Sequence, residues 1–166
     1  MALTPDFTVP DFPTLLLRKF FPERTDKESG IIRDYLVMHL DEFDAVSFSV
    51  RIGQGASTLP ELLPAIQRAI VFSTKKRIDV VAWRGEQVTL IEAKQTVGHA
   101  VLGQLLRDRQ LWLEDHPDAL EPALVAIGRE SDEESLRVLR DHGITVYLYE
   151  ASVELGKDRV AQKTIR

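Results

Sequence analysis

Short runs of apolar residues alternate with stretches at helical spacing along this chain, and the two periods outline its elements. Residues 45–52 alternate and are rich in Val and Phe, which predicts a strand ended by Gly53 and Gly55. Residues 78–83 and 88–93 predict two more strands, joined through Arg84-Gly85-Glu86-Gln87. Residues 123–127 predict a buried strand and residues 144–149 a last one. Between them, Thr25-Asp26-Lys27-Glu28 has the form of a capping box, a hydroxyl at the N-cap answered by Glu three residues on. The helix it opens runs to about Leu40, with Ile31, Ile32, Tyr35 and Met38 or His39 on its apolar face. Further helices are expected over residues 59–71, 98–113 and 132–141, the last closed by Gly143. This order predicts an α/β domain with a mixed sheet between helices.

The ends differ in composition. Residues 1–22 hold four of the eight prolines (Pro5, Pro10, Pro13 and Pro22), which predicts an extended arm with an apolar patch at residues 15–21. That arm packs either on its own core or on a partner subunit. Residues 156–166 form a polar tail expected to fray. The 166 residues suit one domain, and 44% apolar with 28% charged residues makes it a globular one. No apolar run approaches the roughly eighteen residues of a membrane span, and no basic-then-apolar leader opens the chain. With no cysteine, disulfides, zinc ribbons and thiol nucleophiles are excluded, and a soluble cytoplasmic protein is expected.

A net charge of −5 argues against a polyanionic partner until its distribution is considered. Residues 1–67 carry 6 basic and 10 acidic side chains, and residues 110–166 carry 7 and 12. Residues 68–109 reverse the balance with 8 basic against 4 acidic, and they include Lys75, Lys76 and Arg77. That basic segment also holds the candidate chemistry. A turn centred between Gly85 and Glu86, with Gly in the first central position, is a II′ hairpin signal, and it places Asp79 across from Glu92. Their Cβ atoms would lie ~4.5–5.5 Å apart on one side of the hairpin. Lys94, two residues beyond Glu92, falls on the same face. Opposed carboxylates repel unless a positive charge lies between them, and a divalent cation with oxygen ligands is a natural occupant. A cation of this kind polarises a phosphodiester, and a fixed ammonium stabilises the charge that develops on phosphorus oxygens. A plain Glu–Lys or Asp–Lys ion pair at a sheet edge is the competing account of the same spacing.

Asp79, an apolar hairpin and then Glu92-Ala93-Lys94 at the end of an apolar strand resembles the PD-(D/E)xK nuclease superfamily. The resemblance covers roughly residues 28–112, with Ile78 where the family name has proline. It implies a restriction-endonuclease-like fold for residues 23–155 and hydrolysis of nucleic acid, with DNA favoured over RNA. It also implies dependence on Mg²⁺ or Mn²⁺, with Asp79, Glu92 and Lys94 as catalytic residues. Asp79, Glu92 and the carbonyl of Ala93 would be metal ligands, joined by Glu28 as the Glu many members place on the first helix. Gln104 is similar to the Gln of the QxxxY element of RecB-type members, but Asp108 stands where that element has Tyr. Lys75, Lys76, Arg77 and Gln104 are the expected nucleic-acid contacts. Small members often act as homodimers, and the proline-rich arm is a candidate contact. The net acidity and the missing Tyr suit a second expectation, a nuclease-fold binding module that no longer cuts. His39, His99, His116 and His142 lack metal-ligand spacing, and no phosphate-binding or serine-nucleophile motif is present.

Overall fold

The computed structural model describes residues 4–150 and 162–165. Its strands are β1 (Phe7–Thr8), β2 (Ala45–Ile52), β3 (Lys76–Arg84), β4 (Gln87–Thr96), β5 (Ala123–Glu130), β6 (Ile144–Tyr149) and β7 (Gln162–Ile165). The helices are α1 (Phe12–Leu15), α2 (Asp26–His39), α3 (Pro64–Thr74), α4 (His99–Asp115) and α5 (Glu133–Asp141). The strands form one sheet in sequence order, antiparallel from β1 to β4, parallel from β4 to β6 and antiparallel again at β7. Helices α4 and α5 supply the crossovers that the two parallel pairings require. The protein is an α/β structure with a mixed sheet flanked by helices.

Two apolar layers hold the sheet. Helix α2 buries Ile31, Ile32, Tyr35 and Leu36 against Val80, Ala82, Ile91 and Ile127 on one face. Helix α4 buries Val101, Leu105 and Trp112 with Val81, Leu90, Ala126 and Val146 on the other, where Leu139 of α5 joins them. In an unbroken strand residues two apart share a face. Here Val46 and Phe48 pack on the α2 side, whereas Val50 and Ile52 pack on the α4 side. The change of face falls at Ser49, whose φ is 53°. Pairing of Phe48 with Val80 and of Val50 with Ile78 places Ser49 across from Asp79. Strand β3 changes face at the same point, with Val80 on the α2 side and Ile78 on the α4 side.

The N-terminal segment departs from the extended arm expected of it. After β1 come a single 3₁₀ turn over Val9–Asp11 and the one-turn α1, so the prolines start turns rather than prevent them. Phe12, Leu15 and Phe21 are buried in the chain's own core, while Leu17 and Phe20 stay exposed. Asp6 grips the outer edge of β2. Its N–H donates to Ser47 Oγ (2.8 Å) and its carboxylate accepts from the N–H of Phe48 (3.0 Å). At the other end, residues 156–161 and 166 of the polar tail lie outside the described residues. Residues 162–165, expected to fray, instead pair with β6. The helix expected at 59–71 runs from Pro64 to Thr74, because a proline disfavours helical backbone in the residue before it and Leu63 is extended there. It buries none of its residues and leans on the loop after β2, where Ala56 N–H donates to Thr74 Oγ1 (2.7 Å). Among the described residues no helix is long and apolar enough to cross a membrane.

Candidate functional site

The β3–β4 hairpin has the register that its turn residues imply. Arg84 pairs with Gln87, Val81 with Leu90 and Val80 with Ile91, and Gly85 takes a φ of 56°. The next opposed positions are Asp79 and Glu92, both buried at the end of that ladder. Beyond them the strands diverge, β3 toward its start and β4 on into its parallel pairing with β5. The site therefore sits near the carboxyl ends of β4 and β5, with the start of α2 on one side and α4 on the other.

Each group at this corner has identifiable partners. Asp79 Oδ2 accepts the N–H of Ala93 (2.9 Å), and Oδ1 lies 2.6 Å from the guanidinium of Arg24. Lys94 Nζ lies 2.7 Å from Glu92 Oε1 and 3.8 Å from Glu28 Oε1. Glu28 also completes the capping box of α2, accepting from Thr25 N–H (3.1 Å) while Thr25 Oγ1 caps the N–H of Glu28. The capping role and the inward role thus coexist in one side chain. Among the described residues Glu92 Oε2 is buried with neither a hydrogen bond nor an ionic partner. Leaving a buried carboxylate oxygen unmatched costs about 1–3 kcal/mol or more.

Electrostatics set the protonation of the group. Burial, reinforced by the nearby Asp79 charge, pushes the Glu92 carboxyl up to about 8, and the hydrogen bond from Lys94 only partly offsets this. Burial likewise raises Asp79, against the pull of Arg24 and the Ala93 N–H. For Lys94 half-burial opposes the charged form, but Glu92, Asp79 and Glu28 outweigh it and raise the ammonium's pKa. Glu28 is lowered: its partial burial is overcome by the bonds from Thr25 and the charges of Lys94 and Arg24. Lys94 is therefore a fixed cation, while Glu92 is a carboxyl that gains or loses a proton near neutrality.

A cleft of about 340 Å³ opens over these groups. Six of its ten lining residues are Arg or Lys, against two carboxylates. Of the expected nucleic-acid contacts, Lys75, Lys76, Arg77 and Gln104 all line it, Gln104 from α4. Arg77 is already paired with Glu23, which also holds Arg51 at 3.2 Å. Two of the residues at this corner carried no sequence signal. Arg24 and Arg51 belong to no motif and reach the cleft through the loop before α2 and the far end of β2. Asp108, the residue in place of the Tyr of QxxxY, is fully buried beneath the site and paired with Arg107 Nε (2.9 Å). Burial raises its carboxyl, and Asp79 adds to that rise.

Among the described residues no group of three or more His, Cys, Asp or Glu is arranged to hold a metal ion. Mg²⁺ does not require one, since it is commonly held by one or two carboxylates, with waters and substrate phosphate completing its shell. The all-oxygen pair of Asp79 and Glu92, with an unmatched oxygen on Glu92, fits a hard divalent cation on that basis. The Ala93 carbonyl, between the two acidic and basic positions of β4, is placed on the same strand as an additional oxygen.

No protein-family model and no curated protein matches the chain. A similar solved structure is the crystal structure of a protein of unknown function, AF1548. It is 19% identical with a TM-score of 0.37, and the match covers 70% of this chain and 56% of that one.

Proposed function

We propose that the protein is a Mg²⁺- or Mn²⁺-dependent nuclease of the PD-(D/E)xK type, with a restriction-endonuclease-like fold and DNA as its preferred substrate. The observation that carries this reading is the convergence of Asp79, Glu92 and Lys94, with one oxygen of buried Glu92 unmatched, in a cleft lined mainly by cations. The order of elements supports it too: helix α2 bearing Glu28, strand β2, the Asp79 strand β3, the Glu92–Lys94 strand β4 and helix α4 bearing Gln104, with α3 inserted between β2 and β3.

In this reading Asp79 and Glu92 would hold the cation, with Glu28 and the Ala93 carbonyl within the same corner. When bound, the cation polarises the phosphodiester and makes water a better nucleophile. Lys94 stays charged, anchored on Glu92, and supplies fixed positive charge to the phosphoryl oxygens as they become more anionic. Lys75 and Lys76 fix the backbone of the substrate without reading its sequence.

The test is cleavage of labelled single-stranded, duplex and branched DNA, and of RNA, with Mg²⁺, Mn²⁺ or EDTA. Metal-dependent cutting is expected in the wild type and falls by roughly 10²–10³-fold in Lys94→Ala. A second reading, a nuclease-fold binding module, is favoured by the cationic partners Asp79 and Glu92 already have in Arg24 and Lys94. Binding that is unaffected by EDTA, with no cutting on any substrate, would establish it instead.

A further inference from the structure

The corner that holds Asp79 is built around Arg24. The arginine side chain is 6% exposed, yet it lines the cleft, and its Nε has no partner among the described residues. Its guanidinium is 2.6 Å from Asp79 Oδ1. The other oxygen of Asp79 accepts the Ala93 N–H, so Oδ1 is the less occupied one. A divalent ion binding there would meet the positive charge of Arg24 at close range.

The backbone around the pair is held in a costly form. Among the described residues only two non-glycines have positive φ, Glu23 at 56° and Ser49 at 53°. Glu23 immediately precedes Arg24, and Ser49 lies across from Asp79. The two are linked, since Ser49 Oγ donates to the carbonyl of Pro22 (2.7 Å). Left-handed backbone in such residues costs on the order of 1–3 kcal/mol each and persists where its surroundings impose it.

We propose that Arg24 is the counter-ion a divalent metal must displace from Asp79, and that the displaced guanidinium then binds a phosphate oxygen of the nucleic acid. This rests on the nuclease reading above. A buried guanidinium that loses its carboxylate is left as an unpaired charge and must find another anion. Glu28, whose charge already acts on Arg24, is engaged by Thr25 and Lys94. In a cleft lined mainly by cations the further anion is therefore the substrate backbone, and the guanidinium fork suits phosphate. Metal and nucleic acid then bind cooperatively, each removing the penalty the other would meet, and by linkage the coupling is reciprocal. The metal-free, substrate-free enzyme keeps its acidic pair neutralised from within.

Calorimetric titration of Mn²⁺ alone, and of Mn²⁺ with a cleavage-resistant phosphorothioate oligonucleotide, tests this in wild type, Arg24→Gln and Arg24→Lys. Wild type should bind Mn²⁺ about tenfold more tightly when the oligonucleotide is present. Arg24→Gln should bind Mn²⁺ alone about tenfold more tightly than wild type, lose most of that coupling, and cleave at least tenfold more slowly at saturating Mn²⁺. Arg24→Lys, which keeps the charge without the fork, should move the same way to a smaller extent and carries the test should the Gln variant not fold. A merely structural arginine would give weaker Mn²⁺ binding and slower cleavage together. Weaker or unchanged Mn²⁺ binding in a folded variant of an active wild type overturns the role of Arg24 and leaves the nuclease reading intact. A wild type that neither binds Mn²⁺ nor cleaves overturns both.

Discussion

Glu92 is the side chain on which the state of the site turns. Its carboxyl is raised from an ordinary 4.5 to about 8, so the folded protein retains a proton there that the unfolded chain releases. Stability from this group is full below the unfolded value and is lost as pH rises toward about 8. Metal-free wild type should therefore melt at lower temperature at pH 8.5 than at pH 5.5 as far as this group is concerned. Glu92→Gln should remove that slope and melt higher at alkaline pH, by roughly 2–4 °C for each kcal/mol recovered. Thermal melts across pH in EDTA would show it, and a Gln variant that melts lower at pH 8.5 would contradict it. The same proton links metal to pH, because the ion requires the ionised carboxylate. Mn²⁺ affinity should climb with pH until about 8 and level off above it.

At the scale of elements, the close seam between β4 and β5 positions Lys94. Gly128 pairs with Lys94 across it, and a Cβ there would lie 2.7 Å from the Lys94 carbonyl and 2.4 Å from Val97 Cγ2. Gly128→Ala should therefore cost roughly 1–3 kcal/mol through overpacking and shift Lys94 off the site. A wild-type melting temperature and wild-type cleavage in that variant would refute this. This seam also marks what could be read in advance. The hairpin was legible because Gly85 sets the register and period two does the rest, which brought Asp79 and Glu92 together from local signals alone. The capping box at Thr25 and Glu28 was legible for the same reason. The helix at residues 59–71 was displaced because Pro64 dictates where a helix starts, and hydrophobic spacing does not register that. Strand β5 continues to Glu130, past the apolar run, because pairing with the end of β4 sustains it. Arg24, 55 residues from Asp79, belongs to no periodic pattern, so its meeting with Asp79 depends on tertiary packing that no local rule describes.

Over the whole molecule, an overall charge of −5 coexists with a cationic cleft, which makes substrate binding sensitive to where each charge is placed. Lys76 is exposed at the cleft, whereas Arg77 beside it is already neutralised by Glu23. Lys76→Ala should lower the salt dependence of oligonucleotide binding by about one unit of log slope. Arg77→Ala should change it less, and equal effects in fluorescence-anisotropy titrations over a salt series would argue against the pairing seen here. The bonds that Asp6 makes along β2 have a different consequence. Strand β1 covers only Ala45 and Val46, and beyond it the Asp6 side chain occupies the Phe48 amide on that margin of the sheet. A free strand margin is a template on which another chain can add. Without its first eleven residues the protein should become prone to aggregation, visible as concentration-dependent light scattering, while its cleft remains intact. The N-terminal segment is then a guard of solubility, closing a margin of the sheet that would otherwise recruit strands from other chains.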